Sequence, residues 1–268
     1  MRDLSESCSP ERLAAIGEHI DAHGYCVVPG ALTADQLDRL RAALDRLVAE
    51  DEAQGIDLRY GPNLSNRRVR RLIHRAEEFA QLALHPLALA VVKQTLGYDE
   101  VQLSTLTANI TGPGGDEGIG TMHADQDIIP GFFPKRLICN TAFFLDDYTE
   151  ENGATVFVPG TDKLPEGTAQ GAISSASQLG HFTGPAGSFA AWHGFLHHAT
   201  GRNRTADQHR RGILVTWYAP FLRGQENWCR TIDPALLERH PGLAEITGFT
   251  EWRTMGGIHG GKSMALNY

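Results

Sequence analysis

The segment 121–127 carries the residues of this chain that are best suited to bind a metal ion. His123 and Asp125 are separated by one residue, and on a β-strand two such residues point to the same face of the sheet. An imidazole and a carboxylate together suit a divalent first-row metal, and a second histidine would complete a triad that leaves positions open on Fe(II). The pair alone is common by chance in a chain with 12 histidines and 32 acidic residues, so the interpretation depends on a distal ligand.

A second polar segment, about seventy residues further along the chain, offers that ligand and a cation. It contains three candidate distal histidines, His193, His197 and His198, and then Arg210 and Arg211 at the start of a strongly β-forming run. An Fe(II) site that uses a 2-oxo acid needs a fixed cation for the far carboxylate, and arginine binds a carboxylate in bidentate fashion. Only one of two adjacent strand residues can face such a site, and the pattern alone leaves both arginines open.

Composition and charge argue against several other classes of protein. A chain of 268 residues with 41% hydrophobic residues suits one sizeable globular domain. Its net charge of −8 argues against a nucleic-acid-binding protein, whose surface is usually basic. No apolar run approaches the ~20 residues that span a membrane, and the first residues lack the apolar region of a secretory signal. The four cysteines form no C-x-x-C pair, so we expect reduced thiols in a cytoplasmic protein.

Hydrophobic periodicity predicts helices in the first hundred residues and short strands after them. The helices are expected at 9–23, 33–50 and 77–96, with N-caps at Ser9 and Thr33 and a break at His85-Pro86. The basic run 67–75 can bind an anionic group, but a solvated face with ion pairs is the favoured interpretation. Six β-forming runs between Gly, Pro, Asn and Asp predict a sandwich or barrel, and they are 101–111, 119–123, 137–145, 154–158, 187–193 and 212–219.

An ordered set of short motifs extends over nearly the whole chain. The set comprises Gly24–Thr33, His85–Leu89, Leu96-Gly97, His123–Gln126, Glu151–Gly160, His198–Asn203, Arg210–Ile213 and Tyr218–Asn227. In this order the motifs resemble those of the phytanoyl-CoA dioxygenase-like family of Fe(II)/2-oxoglutarate-dependent oxygenases. The resemblance implies a mainly β fold, a double-stranded β-helix (jelly roll, cupin-like) with the N-terminal helices packed outside. The implied single domain, 1–268, has helical support in 1–100, the jelly-roll core in 101–220 and a C-terminal extension in 221–268.

The resemblance also selects among the candidate residues. The family motif His-x-x-Gly-x-Asn matches the segment that begins at His198, which implies that His123, Asp125 and His198 are the metal ligands. The 2-oxoglutarate arginine of the family lies eleven or twelve residues past the distal histidine, which favours Arg210 over Arg211. Thr200 and Thr155 are the other cofactor contacts that the resemblance implies, and both would line the 2-oxoglutarate pocket.

The chain departs from the family pattern at two places. Gly120 and Thr121 occupy the positions where many members carry a glutamine that touches the co-substrate. The segment 159–162, Pro-Gly-Thr-Asp, replaces the frequent Pro-Gly-Ser-His. Asp125 is intact, and this disfavours chlorination, because halogenating relatives have a small residue there.

The implied activity is oxidation of a small molecule, with Fe(II) as cofactor and 2-oxoglutarate and O2 as co-substrates. Hydroxylation of an unactivated carbon in specialised metabolism is the expected outcome, with desaturation, epoxidation or cyclisation as alternatives. The residues expected to line the substrate pocket are Ile128, Phe132, Phe133, Phe143 and Trp217, together with the loop 60–66. The apolar segment 128–133, just after the metal motif, predicts a partly apolar substrate. The alternatives are a jelly-roll metal enzyme of another class, such as an isomerase or hydrolase, and a non-catalytic binding protein.

Overall fold

The computed structural model describes residues 8–61, 64–114, 122–131, 134–164 and 178–256. Within these ranges, five helices and three short strands precede residue 100, and the longer strands follow it. The helices are α1 (Pro10–His23), α2 (Ala34–Ala53), α3 (Leu72–Arg75), α4 (Glu77–Ala83), α5 (Pro86–Leu96), α6 (Trp228–Thr231), α7 (Pro234–Arg239) and α8 (Gly242–Ile246). The strands are β1 (Tyr25–Val28), β2 (Arg59–Tyr60), β3 (Asn66–Val69), β4 (Gln102–Thr111), β5 (Ile138–Phe144), β6 (Val156–Phe157), β7 (Gly180–His181), β8 (Phe189–His193), β9 (His198–Ala199) and β10 (Arg210–Tyr218).

The N-terminal helices begin at the residues that were predicted to cap them. The Ser9 side chain accepts a hydrogen bond from the backbone N–H of Arg12 at the start of α1. Thr33 and Gln36 form the reciprocal capping box at the start of α2. The third predicted helix is broken before Pro86, as expected, because proline cannot donate the backbone hydrogen bond that a continuous helix needs. Among the described residues, no helix combines the length and apolar character that crossing a bilayer requires.

The strands form two antiparallel sheets that face each other. The large sheet has the strand order β1-β8-β5-β10-β4-β3-β2, and the small sheet has the order β7-β6-β9. A single backbone bridge joins His123 to His198 and extends the small sheet beyond β9. This arrangement is the predicted jelly roll, mainly β with helices outside.

The two faces of the large sheet have different neighbours. On β10, Ile213, Val215 and Trp217 belong to the core that the helices cover, whereas Leu214 packs on the cluster between the two sheets. This is the period-two alternation of a strand. Burial of an aliphatic or aromatic side chain contributes ~1.5–3 kcal/mol to the free energy of folding. The helix-covered core contains many such side chains and therefore stabilises the large sheet, whose other face carries polar groups.

Candidate metal centre and co-substrate cavity

A cavity of ≈ 610 Å³ lies between the two sheets, on the inner face of the large one. This volume falls within the range of ~300–1,000 Å³ that is usual for small-molecule sites. Its lining from the large sheet is mostly polar, and it includes Thr105, Thr107 and Asn109 of β4, Asn140 and Ala142 of β5, and Arg210, Gly212, Leu214 and Thr216 of β10. Residues His198, Ala199 and Thr200, together with Thr155 near β6, close it from the side of the small sheet.

His123, Asp125 and His198 converge at one end of this cavity. One ligand atom from each side chain lies within 4.8 Å of the other two. The distance from Asp125 Oδ2 to His198 Nε2 is 3.4 Å, and the distance from Asp125 Oδ1 to His123 Nε2 is 3.8 Å. Bonds of ~2.1 Å to a metal at right angles would separate two ligand atoms by ~3.0 Å. The three side chains therefore form a set that fits a single divalent ion, with one face of the ion left open.

The backbone holds these ligands in a way that differs from the prediction. His123 and His198 exchange backbone hydrogen bonds of 3.2 and 3.0 Å, so the two imidazoles start from neighbouring chain segments. Asp125, however, begins a 3-10 helix over Asp125–Ile128. The prediction that His123 and Asp125 share one face of a strand is wrong, because the chain turns directly after His123 and the turn, rather than the pleat, brings the carboxylate to the imidazoles.

A buried glutamine fixes this turn to the large sheet. Gln126 accepts a hydrogen bond from the backbone N–H of Leu137 (3.0 Å) and donates one to the carbonyl of Lys135 (2.7 Å). Its own backbone N–H donates to the carbonyl of Gly194. The turn that presents Asp125 is therefore attached both to the segment that enters β5 and to the loop that precedes β9.

The environment of His198 selects the form of imidazole that binds metals. Its Nδ1 lies 3.0 Å from the carbonyl of Leu196, and because a carbonyl only accepts, Nδ1 must carry the proton. Nε2 is then left as the acceptor that faces Asp125. Burial lowers the pKa of His198, while the Asp125 carboxylate opposes that shift. The ring is consequently neutral at neutral pH, as metal binding requires.

Asn140 of β5 orients the carboxylate. Its Nδ2 donates a hydrogen bond of 2.6 Å to Asp125 Oδ2, and the side chain is only 2% exposed. A hydrogen bond to an ionised group is stronger than one between neutral groups. Asn140 thereby fixes the rotation of Asp125 and leaves Oδ1 directed at His123.

The other two candidate histidines lie outside this cluster. His193 is on the helix-covered side of β8, where its Nε2 is 3.6 Å from Asp162 Oδ2 and both side chains are 2% exposed. His197 Nε2 lies 3.9 Å from Asp127 Oδ2. Asp162, part of the departure from the family pattern at 159–162, is therefore a buried partner of His193 rather than a residue of the cavity.

Arg210 faces into the cavity and is held from two sides. Its Nη2 donates a hydrogen bond of 2.6 Å to Thr111 Oγ1, and its Cζ lies 3.9 Å from the centre of the Tyr148 ring. Gly212 leaves room for this stack, since a Cβ at that position would lie 1.8 Å from the Tyr148 hydroxyl. Arg210 is 4% exposed, yet its Nε has no hydrogen-bond partner. An unsatisfied buried donor beside the ligand triad is the arrangement that a carboxylate would complete.

Arg211 points to the opposite side of the sheet. It donates hydrogen bonds to both oxygens of Asp146, at 2.9 and 2.8 Å, and to Asp45 of α2 at 3.0 Å. Its role in the described structure is to attach α2 to the sheet. The hydrogen bonds to Asp146 are the main cause that raises the pKa of Arg211, so it stays charged throughout the pH range of stability.

The remaining residues predicted for the site differ in their position relative to the cavity. Thr155 and Thr200 line the cavity next to the triad. Ile128 is 58% exposed at the end of the 3-10 helix and does not line the cavity, whereas Phe132 and Phe133, like Gly120 and Thr121, lie outside the described residues. The placement of Trp217 in the substrate pocket is wrong. Trp217 is 1% exposed in the helix-covered core, because it alternates with Thr216 along β10, and its Nε1 donates to Thr141 Oγ1. The expectation for Phe143 is wrong as well, since it lies in the same core and is also 1% exposed.

Several residues that shape the site were not among those predicted. Asn140 had a recognisable signal, since an amide inside the buried apolar run of β5 must have a partner. Tyr148 had none, because its contact with Arg210 depends on the missing side chain of Gly212. The cavity is also more polar and more cationic than the apolar segment 128–133 had suggested, since Arg68, Arg70 and Arg71 line it as well.

Comparison with known proteins identifies the family of the chain. The family model described as phytanoyl-CoA dioxygenase (PhyH) matches residues 20–212. The chain belongs to the phytanoyl-CoA dioxygenase family. The protein "Dioxygenase af480" of Aspergillus fumigatus is 30% identical over 234 residues, which are 85% of this chain and 74% of that protein.

Solved structures show the same fold at lower identity. The epimerase SnoN from nogalamycin biosynthesis, in complex with Fe3+, α-ketoglutarate and nogalamycin RO, has a TM-score of 0.64 and 23% identity and covers 79% of this chain and 85% of its own. HygX from Streptomyces hygroscopicus, with nickel, 2-oxoglutarate and hygromycin B bound, has a TM-score of 0.60 and 19% identity, with coverage of 80% and 88%. Iron and 2-oxoglutarate are the cofactor and co-substrate of this family, and the triad together with Arg210 supplies a donor set that fits both.

Proposed function

We propose that this protein is a non-haem Fe(II)- and 2-oxoglutarate-dependent oxygenase that hydroxylates an unactivated carbon of a small molecule in specialised metabolism. The observation that carries the proposal is the meeting of three metal-binding side chains with a buried, incompletely paired arginine in one cavity. His198 and Arg210 are buried, and such polar groups are costly to bury without a partner. Folding alone does not require four such groups to converge.

In this proposal, His123, Asp125 and His198 would hold Fe(II), which when bound supplies the site where 2-oxoglutarate and O2 react and the substrate is oxidised. Arg210 would bind the far carboxylate of 2-oxoglutarate in bidentate fashion. Thr111 and Tyr148 keep the guanidinium of Arg210 in place, so little side-chain entropy is lost when the co-substrate binds.

The remaining contributions of the chain are orientation and exclusion of water. Asn140 holds the carboxylate of Asp125, and the Leu196 carbonyl holds the proton on Nδ1 of His198. The rings of Trp192 and His198 meet edge to face at a centroid distance of 5.1 Å, which covers one side of the ligand set with an apolar group. A site with fixed ligands and restricted water is suited to an oxidation that must spare the protein itself.

The reaction outcome is the finer part of the proposal. The fold does not determine the outcome, since SnoN, a neighbour of similar fold, is an epimerase. Hydroxylation is proposed as the default, and the intact Asp125 disfavours chlorination. Free thiols at all four cysteines support a cytoplasmic location.

The first test is an anaerobic titration of the purified protein with Fe(II) and then with 2-oxoglutarate. The readout is the weak visible charge-transfer band of the chelate. The band is expected in the wild type, absent in His198→Ala and obtained only at higher 2-oxoglutarate concentration in Arg210→Ala. Two neighbours provide matched controls. His197→Ala and Arg211→Gln should keep the band, because neither side chain reaches the triad or the cavity.

The outcomes of this titration separate the alternatives. A metal-loaded wild type without a band would exclude the oxygenase and favour a jelly-roll metal enzyme of another class. A protein that binds no metal at all would favour a binding protein. A band that is lost equally in His197→Ala and His198→Ala would refute the assignment of the distal ligand. Oxygen exposure with candidate substrates, followed by mass analysis for a gain of one oxygen atom, then tests hydroxylation against the other outcomes.

A further inference from the structure

Three arginines from one short segment line the cavity on the side of β3. Arg68 is on β3 itself, and Arg70 and Arg71 follow it before α3. Arg68 is half-buried and directed inward, with its Nε donating to Asn109 Oδ1 at 3.0 Å and its Cζ 4.3 Å from the centre of the Tyr60 ring. Arg70 and Arg71 are exposed toward the opening.

These three arginines have no carboxylate partner among the described residues, in contrast to the other arginines of the same basic run. Arg67 forms an ion pair with Glu52, and Arg75 forms ion pairs with Asp51 and Glu50. The arginines of the basic run therefore form two groups, one facing outward and one facing the cavity. The outward members are the ion-paired solvated face that composition favours, whereas Arg68, Arg70 and Arg71 direct unneutralised charge at the cavity.

The only carboxylate of the cavity outside the ligand triad, within the described chain, is Glu226. It accepts a hydrogen bond of 3.1 Å from His74 Nε2. With Arg210 assigned to 2-oxoglutarate and Asp125 to the metal, three cations remain against one acid in the space left for the substrate. The protein as a whole carries a net charge of −8. A cationic cavity in an acidic protein concentrates anions at that place alone.

The backbone of Arg71 gives an independent indication. Its φ is 60°, in the left-handed region that suits glycine and that other residues rarely adopt. The side chain is exposed, so packing of the core does not explain why an arginine occupies this position. Strained backbone of this kind is concentrated at ligand-binding positions.

We infer that Arg68, Arg70 and Arg71 form a subsite for an oxyanion of the substrate, a carboxylate, phosphate or sulfate group, so that the substrate class is an anionic small molecule. The inference rests on the proposed function for the position of the oxidised carbon. In the large sheet β3 lies three strands from β5, a distance of ~14 Å at the usual strand spacing. The carbon that is oxidised beside the triad is therefore several bonds from the anionic group.

The test uses the full chain loaded with Ni(II) and saturated with 2-oxoglutarate, so that Arg210 is occupied. Phenyl phosphate, benzoate and the neutral benzyl alcohol are titrated into it by calorimetry. At least one anion is expected to bind about tenfold more tightly than benzyl alcohol, since hydrogen bonds to charged groups are the stronger ones. The ratio between phenyl phosphate and benzoate then distinguishes a phosphate ester from a carboxylic acid as the natural group.

Variants then test whether Arg70 and Arg71 are responsible for this binding. Arg70→Gln/Arg71→Gln is expected to weaken anion binding about tenfold or more, and to leave benzyl alcohol and 2-oxoglutarate unaffected. The matched control is Arg67→Gln, one residue from Arg68 but on the outer face, which should change anion affinity by less than about twofold. The three substituted side chains, Arg67, Arg70 and Arg71, are partly or fully solvent-exposed, and circular dichroism checks that the variants fold.

Two results would overturn the inference. One is wild-type protein that binds neither anion more tightly than benzyl alcohol, and the other is an equal loss in Arg67→Gln and in the double variant. Failure of the proposed function has a different signature, namely no charge-transfer band with Fe(II) and 2-oxoglutarate in the wild type. The two failures can thus be told apart in the same preparation.

Discussion

Replacement of Asn140 by alanine should weaken metal binding without unfolding the protein. The substitution removes the 2.6 Å hydrogen bond that fixes one oxygen of Asp125. Hydrogen bonds to charged groups contribute ~1.5–3 kcal/mol, and loss of a residue that orients a metal ligand typically lowers metal affinity ~10–100-fold. Both figures agree, because a factor of 10–100 corresponds to ~1.4–2.8 kcal/mol. We therefore expect the Ni(II) dissociation constant to rise by one to two powers of ten.

The neighbouring residue on β5 provides the control. Thr141 faces the opposite side, where its hydroxyl accepts a hydrogen bond of 3.1 Å from Trp217 Nε1. Thr141→Val would leave that buried N–H unpaired, at a cost of ~1–3 kcal/mol in the free energy of unfolding, and should leave metal affinity unchanged. Calorimetric titration gives the Ni(II) dissociation constant of each variant, and thermal unfolding gives the melting temperature of each. The reasoning is refuted if Asn140→Ala binds Ni(II) as the wild type does, or if Thr141→Val loses as much affinity.

Three further predictions concern thiols, acid stability and backbone strain. Burial raises the pKa of Cys26 to about 12, so a thiol reagent at pH 8 should label exposed Cys229 in the native protein and reach Cys26 only in denaturant; equal labelling rates would contradict this. Burial by itself would raise the pKa of Asp146, but hydrogen bonds from Arg211 outweigh it and lower that pKa; the stabilisation is therefore present above the unfolded value of ~3.9 and lost as the pH falls below it. The melting temperature of Asp146→Asn should accordingly be below that of the wild type at pH 7, and the difference should shrink below about pH 4; a constant difference would exclude this linkage. Arg71→Gly should raise the free energy of unfolding in urea by roughly 0.5–1 kcal/mol, because glycine accepts the left-handed conformation, and an unchanged or lower value would show that Arg71 is not strained.

Local signals in the sequence were sufficient for the framework of the fold. The caps at Ser9 and Thr33 and the break at Pro86 each follow from one side chain acting on its own backbone, and all three are present in the structure. The jelly roll and the family followed from the order of motifs along the chain. These features depend on short segments, which is why they can be read without knowledge of distant contacts.

The failures have two kinds of physical cause. Asp125 lies on a turn because Gln126 is bonded to Lys135 and Leu137, and a tertiary contact of this type leaves no periodicity in the sequence. At Trp217 the cause is the alternation of side chains along a strand. Arg210 and Trp217 are an odd number of positions apart on one strand, so strand alternation alone assigns them to opposite faces.

The direction of the basic run could not be resolved in the same way. β3 has only four residues, and its alternation shows that Arg67 and Arg68 face opposite sides without showing which side is the interior. The answer depends on the pairing of Arg68 with Asn109 of β4, about forty positions away. Composition described the ion-paired outer half of the run correctly and was uninformative about the inner half.

If His123 and His198 hold the metal as proposed, the backbone bridge between them also links metal binding to the folding equilibrium. The two histidines are ~75 residues apart in the chain, so the unfolded polypeptide presents no site of comparable affinity. An ion that binds only the native state adds about 2.7 kcal/mol to its stability at a free concentration one hundred times the dissociation constant. Iron supply would then govern the lifetime of the polypeptide as well as its turnover, since the metal-depleted chain opens more often and is more readily degraded.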